Sequence, residues 1–185
     1  EEKQGLKLFN GKGKCSRCHT SRAKQGQPPL FTDYSYDNLG VPRNFDNPVY
    51  DTEGFDWVDN GLGAFLATRP EYAGMAEDHE GVQKVPTLRN VDLRPYPGFV
   101  KAFAHNGYFK TLKGIVHFYN TRDVKPTCAD PFTSEADAMT LGCWPDPERS
   151  ESVNDDELGN LKLTDEQEDA IVAFLKTLSD GYIAE

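Results

Sequence analysis

The residues best placed to do chemistry fall in one short stretch, Cys15-Ser16-Arg17-Cys18-His19. A Cys-x-x-Cys-His spacing attaches a haem covalently. Each cysteine sulfur forms a thioether with a haem vinyl group, and the histidine that follows becomes an iron ligand. Two intervening residues let one turn of chain offer both sulfurs to one porphyrin edge and carry the histidine beneath the metal. A redox dithiol would accompany a βαβ pattern, which the sequence lacks. A structural zinc site would need a second Cys or His pair at short spacing, and none is present. The other two cysteines, Cys128 and Cys143, are not followed by this pattern. The sequence therefore provides for one covalently attached haem c with its iron.

Composition bounds the rest. At 185 residues with 37% hydrophobic content, the chain is expected to form one domain, 1–185, with a core and much solvated loop. No stretch approaches the roughly 18 apolar residues of a membrane span. The net charge of −10 disfavours nucleic acid and would steer a basic redox protein partner at low salt, as well as aiding solubility. Bacterial c-type haem is attached outside the cytoplasm, so the haem motif implies a mature periplasmic protein whose signal peptide has been removed. In such an oxidising compartment Cys128 and Cys143 are expected to form a disulfide. It would close a loop of about fifteen residues and contribute about 3 kcal/mol in the chain-entropy picture.

The elements that must position the motif are helical. Residues 2–10 read as a first helix with Leu6 and Phe9 on one face, ended by Gly11 and Gly13. From Thr20 to about Asn60 the pattern is irregular, with Phe31, Tyr34, Tyr36, Phe45 and Tyr50 available to wrap a haem edge or to anchor a surface loop. A short helix begins at Gly61 and ends by Arg69-Pro70. Residues 110–120 carry Leu112, Ile115, Val116 and Tyr119 at i, i+3, i+4 and i+7, with His117 off that stripe. Residues 123–162 read as an inserted loop region holding both spare cysteines. The last helix starts at a Thr164–Gln167 capping box, buries Ile171, Phe174, Leu175 and Leu178, and stops at Gly181. No β alternation stands out. The expected fold is all-α, a class I cytochrome c-like haem domain with long irregular loops and a disulfide-containing insertion, its first and last helices crossing at Phe9 and Phe174.

Several blocks, in order, carry a resemblance. Gly40-Val41-Pro42-Arg43-Asn44, Val85-Pro86-Thr87-Leu88-Arg89-Asn90-Val91, His105-Asn106-Gly107, Thr111-Leu112 and Val116-His117-Phe118-Tyr119 resemble the C-terminal haem domain of the bacterial cytochrome c peroxidase and MauG family. The resemblance runs from the haem motif through the last helix. It implies an electron-transferring haem with two axial ligands, partnered in the family by a second haem that reacts with peroxide. The sixth ligand is a methionine in the peroxidases and a tyrosine in MauG, on the helix after a Thr-Leu pair. By that resemblance Tyr119 takes the ligand position, and His105 matches a family histidine near the same haem. The sequence departs from the family in lacking the second haem domain. It also adds length at 96–103, a region the family uses for an interdomain calcium ion, so calcium is not carried over.

The sixth ligand remains a choice. Tyr119 competes with Met75, whose thioether would favour ferrous iron and raise the potential, and with the less favoured Met139. His117 reads as a satisfied or solvated histidine and His79 as a surface one, while an open site would admit peroxide or a small gas. Glu77, Asp78 and Glu80 are nominal general acids, read more plainly as a solvated acidic loop. The leading functional reading is a periplasmic monohaem c-type cytochrome that transfers electrons. The alternative is a peroxidase- or MauG-like enzyme domain, or the electron-transfer half of a two-haem oxidase. A haem-based gas sensor ranks below both.

Overall fold

A computed structural model describes residues 1–23 and 26–181. Its helices are α1 (Glu2–Asn10), α2 (Val49–Glu53), α3 (Gly61–Ala67), α4 (Leu112–Thr121), α5 (Glu135–Leu141) and α6 (Asp165–Lys176). Short 3-10 turns stand at Cys15–Arg17, Ala73–Met75 and Glu77–His79. The sheet content is one two-residue antiparallel pair, β1 (Tyr36–Asp37) with β2 (Gln83–Lys84), in the register Tyr36 to Lys84. The helical expectation therefore holds.

Helices α1 and α6 pack closely, and the contact runs through Phe9 and Phe174, whose ring centroids are 5.2 Å apart. The buried face of α1 differs from the expected one. It is Gly5, Leu8 and Phe9, while Leu6 is left 39% exposed. Gly5 explains the rotation, since a Cβ there would overlap the Ala170 carbonyl oxygen of α6. The helices approach backbone to backbone at that point, which only a residue without a side chain allows. The capping box forms as read, with Thr164 accepting from the Gln167 backbone and the Gln167 side chain accepting in return from the Thr164 N–H. The regular helix ends at Lys176, short of Gly181.

Helix α4 is wedged between α6 on one side and α5 with its flanking chain on the other. It buries Leu112, Val116, Phe118 and Asn120, while Ile115 and Tyr119 are only partly buried against the core. A helix covered from two directions buries more than one stripe, which is why Phe118 and Asn120 were missed. The excursion 123–162 begins and ends at the same place: the Asp123 N–H donates to Gly159 O at 2.9 Å. Between those points it is no bare loop. It contains α5, capped by Ser134, and the Cys128–Cys143 disulfide is formed. It also inserts Trp144 into the core, 5.2 Å from Phe118 and 6.1 Å from Phe109 by ring centroids.

In the irregular 20–60 segment the aromatics divide. Phe31 and Tyr50 are buried anchors, whereas Tyr34 and Tyr36 are 57% and 45% exposed. Phe31 lies edge-on to both Phe9 and Phe174, at 6.0 and 6.1 Å. The long loop is thereby pinned to the crossing of the terminal helices. No helix among the described residues is long and apolar enough to cross a membrane.

Candidate haem-attachment site

The motif follows α1 directly. Lys14 adopts a left-handed conformation and turns the chain into the 3-10 segment Cys15–Arg17, and the His19 N–H donates to Cys15 O at 2.9 Å. One compact turn thus carries both sulfurs and the imidazole. Gly13 suits this turn, because a Cβ there would press on Ile171 of α6, on Leu8 O and on the Cys15 sulfur, each of which would have to give slightly.

Cys15 and Cys18 are free of any disulfide and partly buried. Burial pushes the Cys15 thiol up to about 12. Cys18 rises to about 12 as well, through burial and then the neighbouring carboxylates of Glu157, Asp37 and Asp33. Both groups therefore stay protonated near neutral pH. Disulfide exchange needs a thiolate, so this is a poor setting for a redox dithiol.

His19 is held by its backbone surroundings. Its Nδ1 lies 2.8 Å from the carbonyl oxygen of Phe31. A carbonyl only accepts, so Nδ1 is the protonated nitrogen and Nε2 keeps its lone pair. Burial lowers the imidazole's proton affinity so that the neutral ring dominates, although the Phe31 and Pro86 carbonyls beside the ring act the other way. Phe31 presents that carbonyl from a left-handed conformation (φ +53°), a strained choice for a phenylalanine. The loop is fixed in turn by the 84–88 segment: Thr32 Oγ1 donates to Val85 O at 2.7 Å, the Val85 N–H donates to Ser35 O at 2.8 Å, and Thr87 Oγ1 donates to Leu30 O. The Val85-Pro86-Thr87 block is thus the strap behind the histidine.

From the other direction α4 brings Tyr119. Its hydroxyl lies within electrostatic reach of the Cys15 and Cys18 sulfurs, of Asp37 and of Arg122. Burial raises its pKa above the ordinary phenol value, and the sulfurs and Asp37 push the same way. Asp37 is raised by burial although Asn154 donates to it at 2.6 Å. Glu157, from the excursion, reaches Arg17 at 3.4 Å and the Cys18 sulfur at 3.6 Å. Cys18, Asp37 and Glu157 together could hold a metal ion. That use and thioether formation compete for the same sulfur.

Other candidates lie elsewhere. Met75 is 49% exposed on its 3-10 turn, which packs on α3 and on the Glu77–His79 turn. Met139 is on α5, packed against the core. His79 Nδ1 donates to Met75 O at 2.8 Å, and Glu80 pairs with Arg149. His117 is a satisfied histidine, its Nδ1 2.9 Å from the Glu168 carboxylate. His105 Nε2 lies 3.3 Å from Glu148, and among the described residues no hydrogen bond or ring contact joins it to the haem motif. Glu148 went unnoticed in the sequence although it is almost fully buried. It also accepts from Tyr50 Oη, the Asp59 N–H and Asn106 Nδ2. Burial works against its charge, but His105 and these donors hold its carboxyl below the usual range.

A haem suits the residues present. Two unpaired, unionised sulfurs and an imidazole anchored through Nδ1 share one turn, with the Tyr119 phenol within electrostatic reach of the sulfurs.

No protein-family model matches the chain. Among curated proteins it is 37% identical over 170 residues to the methylamine utilization protein MauG of Paracoccus denitrificans, covering 90% of this chain and 39% of that protein. It is 28% identical over 148 residues to the cytochrome-c peroxidase IdrP2 of a Pseudomonas species, covering 76% of this chain and 37% of the other. Among solved structures, a variant of the dihaem peroxidase BthA from Burkholderia thailandensis superposes with a TM-score of 0.72 at 31% identity, over 97% of this chain and 42% of that one. The chain thus spans about two fifths of the length of the relatives it matches.

Proposed function

Because the chain belongs to the MauG and cytochrome-c peroxidase family, we propose that it binds one haem c covalently and transfers electrons. In this reading it is the electron-transfer half of a MauG-like, peroxide-using system. Cys15 and Cys18 would form the thioethers, and His19 Nε2 and the Tyr119 oxygen would hold the iron. The class I cytochrome c arrangement of crossing terminal helices goes with this reading. So does a periplasmic location, where haem attachment and the Cys128–Cys143 disulfide share one oxidising compartment. The observation that carries the proposal is the His19–Phe31 hydrogen bond, which fixes the imidazole tautomer a metal requires, on a turn whose two sulfurs lie within electrostatic reach of the Tyr119 phenol.

When bound, the haem supplies a one-electron couple whose potential follows its axial ligands. The protein's residues set the terms. His19 donates through Nδ1 and so becomes a more basic ligand through Nε2. Tyr119 would hold the iron through its oxygen, and an anionic oxygen there would favour ferric iron and lower the potential. The Tyr119 proton has an acceptor region at hand in Asp37, whose proton affinity is raised by burial. The partial burial of both cysteines would limit water at the attached edge.

A second reading, a stand-alone monohaem carrier serving a basic redox protein, is favoured by the single Cys-x-x-Cys-His motif and by the charge of −10. The test is a holoprotein preparation. Haem that survives acid–acetone extraction and exchanges electrons with small mediators, with slow reaction toward peroxide, is the expected result. Extractable haem would overturn the attachment. Rapid peroxide turnover by the chain alone would overturn the electron-transfer assignment.

A further inference from the structure

Behind Tyr119 lies a buried charge that the attachment site does not use. Glu168 of α6 is 1% exposed. Its carboxylate accepts from three side chains of α4: His117 Nδ1 at 2.9 and 3.1 Å, Asn120 Nδ2 at 2.6 Å and Lys113 Nζ at 3.1 Å. Lys113, His117 and Asn120 are spaced i, i+4 and i+7, which is one stripe of the helix. Lys113 also grips Asp165 and Asp169, at 2.7 and 2.8 Å. Asn120 further reads the backbone entering α6, donating to Leu163 O at 3.0 Å and accepting from the Leu163 N–H at 2.9 Å.

The geometry has a consequence for the neighbouring residue. An apolar helix contact tolerates rolling, because dispersion is weakly directional. A buried carboxylate with three directed donors does not, since a roll of one residue would strand a charge away from water. Tyr119 is covalently next to Asn120, about 100° around the helix from it. Whatever fixes the stripe facing α6 therefore fixes the direction of the phenol.

We propose that Glu168 is a positioning residue that locks the rotation of α4 and thereby aims Tyr119 at the iron. The inference rests on Tyr119 being the sixth ligand, and its test separates the two ideas. Glu168→Leu keeps similar bulk but removes the one acceptor that Lys113, His117 and Asn120 share, while Glu168→Gln keeps an oxygen that can accept. The ferric absorption and EPR spectra and the reduction potential are measured on folded holoprotein of each variant, beside Tyr119→Phe. We expect the wild-type spectrum in Glu168→Gln. In Glu168→Leu we expect it lost from more than half of the molecules, with the potential moved in the same direction as in Tyr119→Phe. If Glu168→Leu yields no soluble holoprotein, His117→Leu, at a partly exposed position, is held to the same expectation. A wild-type spectrum and potential in the folded leucine variant, with Tyr119→Phe altered, would overturn the positioning role alone and leave Glu168 a stabilising residue. An unchanged Tyr119→Phe would overturn the ligand assignment, and the positioning role with it.

Discussion

The His19 imidazole Nδ1 donates to the Phe31 carbonyl at 2.8 Å, while the Phe31 ring is wedged at the crossing of the terminal helices. One residue therefore couples the packing of α1 on α6 to the orientation of the candidate iron ligand. The left-handed backbone of Phe31 is tolerated because ring burial and the hydrogen bond both demand that position.

Truncating that ring should be felt in both places. Phe31→Ala is expected to destabilise the holoprotein by about 3–5 kcal/mol, the usual cost of removing a buried phenylalanine. It should also reduce the yield of protein with covalent haem. Chemical denaturation together with haem-to-protein ratio checks this. A variant with lost stability but a normal His19 environment would separate the two roles.

Gly5 offers a sharper test of the crossing. Even a methyl group would collide with the Ala170 carbonyl oxygen, so Gly5→Ala should push α1 off α6. Overpacking of this kind costs roughly 3 kcal/mol at its upper range. For a domain of this size that corresponds to a melting point lower by about 6–12 °C. An unchanged thermal melt would mean that the helices cross elsewhere.

The Glu168 cluster also predicts a pH signature. Burial alone would raise this carboxyl, but hydrogen bonds from His117, Asn120 and Lys113 together hold it below the ordinary glutamate value of 4.5. A group depressed in the folded state stabilises the fold above its unfolded value and loses that contribution as pH falls through its folded value. The stability difference between wild type and Glu168→Gln should therefore be largest near neutral pH and shrink progressively below about pH 4.5. Urea midpoints measured across pH 3 to 7 would show it, and a pH-independent difference would refute it.

The disulfide makes a separate contribution. Cys128 and Cys143 are 15 residues apart in sequence, so converting both to serine should cost about 3 kcal/mol. Trp144, next to Cys143, packs on Phe118, and among the described residues no ring contact or hydrogen bond joins it to the motif turn. The ferric spectrum should then be unchanged while the unfolding midpoint falls. A large spectral change would show that the 123–162 excursion controls the haem environment directly.

What was legible in the sequence was local or strongly patterned. The Cys15–His19 turn, the Thr164–Gln167 capping box and the Cys128–Cys143 pair depend on residues close in sequence or unique in type. Phe9 against Phe174 was readable because both terminal helices carry clear apolar faces. What escaped depends on distant partners. Gly5 looked like a weak helix residue until Ala170 lay against it. Glu168 looked like one more acid in an acidic first turn, and its burial follows from three donors some fifty residues earlier. Helix α5 is short, and its role in covering α4 comes from Glu135, whose carboxylate accepts from the Lys110 N–H and from Thr111 Oγ1. The Phe31 carbonyl could not be foreseen at all, since any residue has one and only the fold decides which meets His19.

If His19 and Tyr119 together hold the haem iron, the ferric spectrum of Tyr119→Phe must differ from that of the wild type. The account predicts loss of the wild-type ferric spectrum, with conversion to five-coordinate high-spin iron or capture of a replacement ligand, and a raised potential as the anionic oxygen is removed. A spectrum identical to wild type, or a far-red sulfur-to-iron band in both proteins that disappears on Met75→Leu, would contradict it.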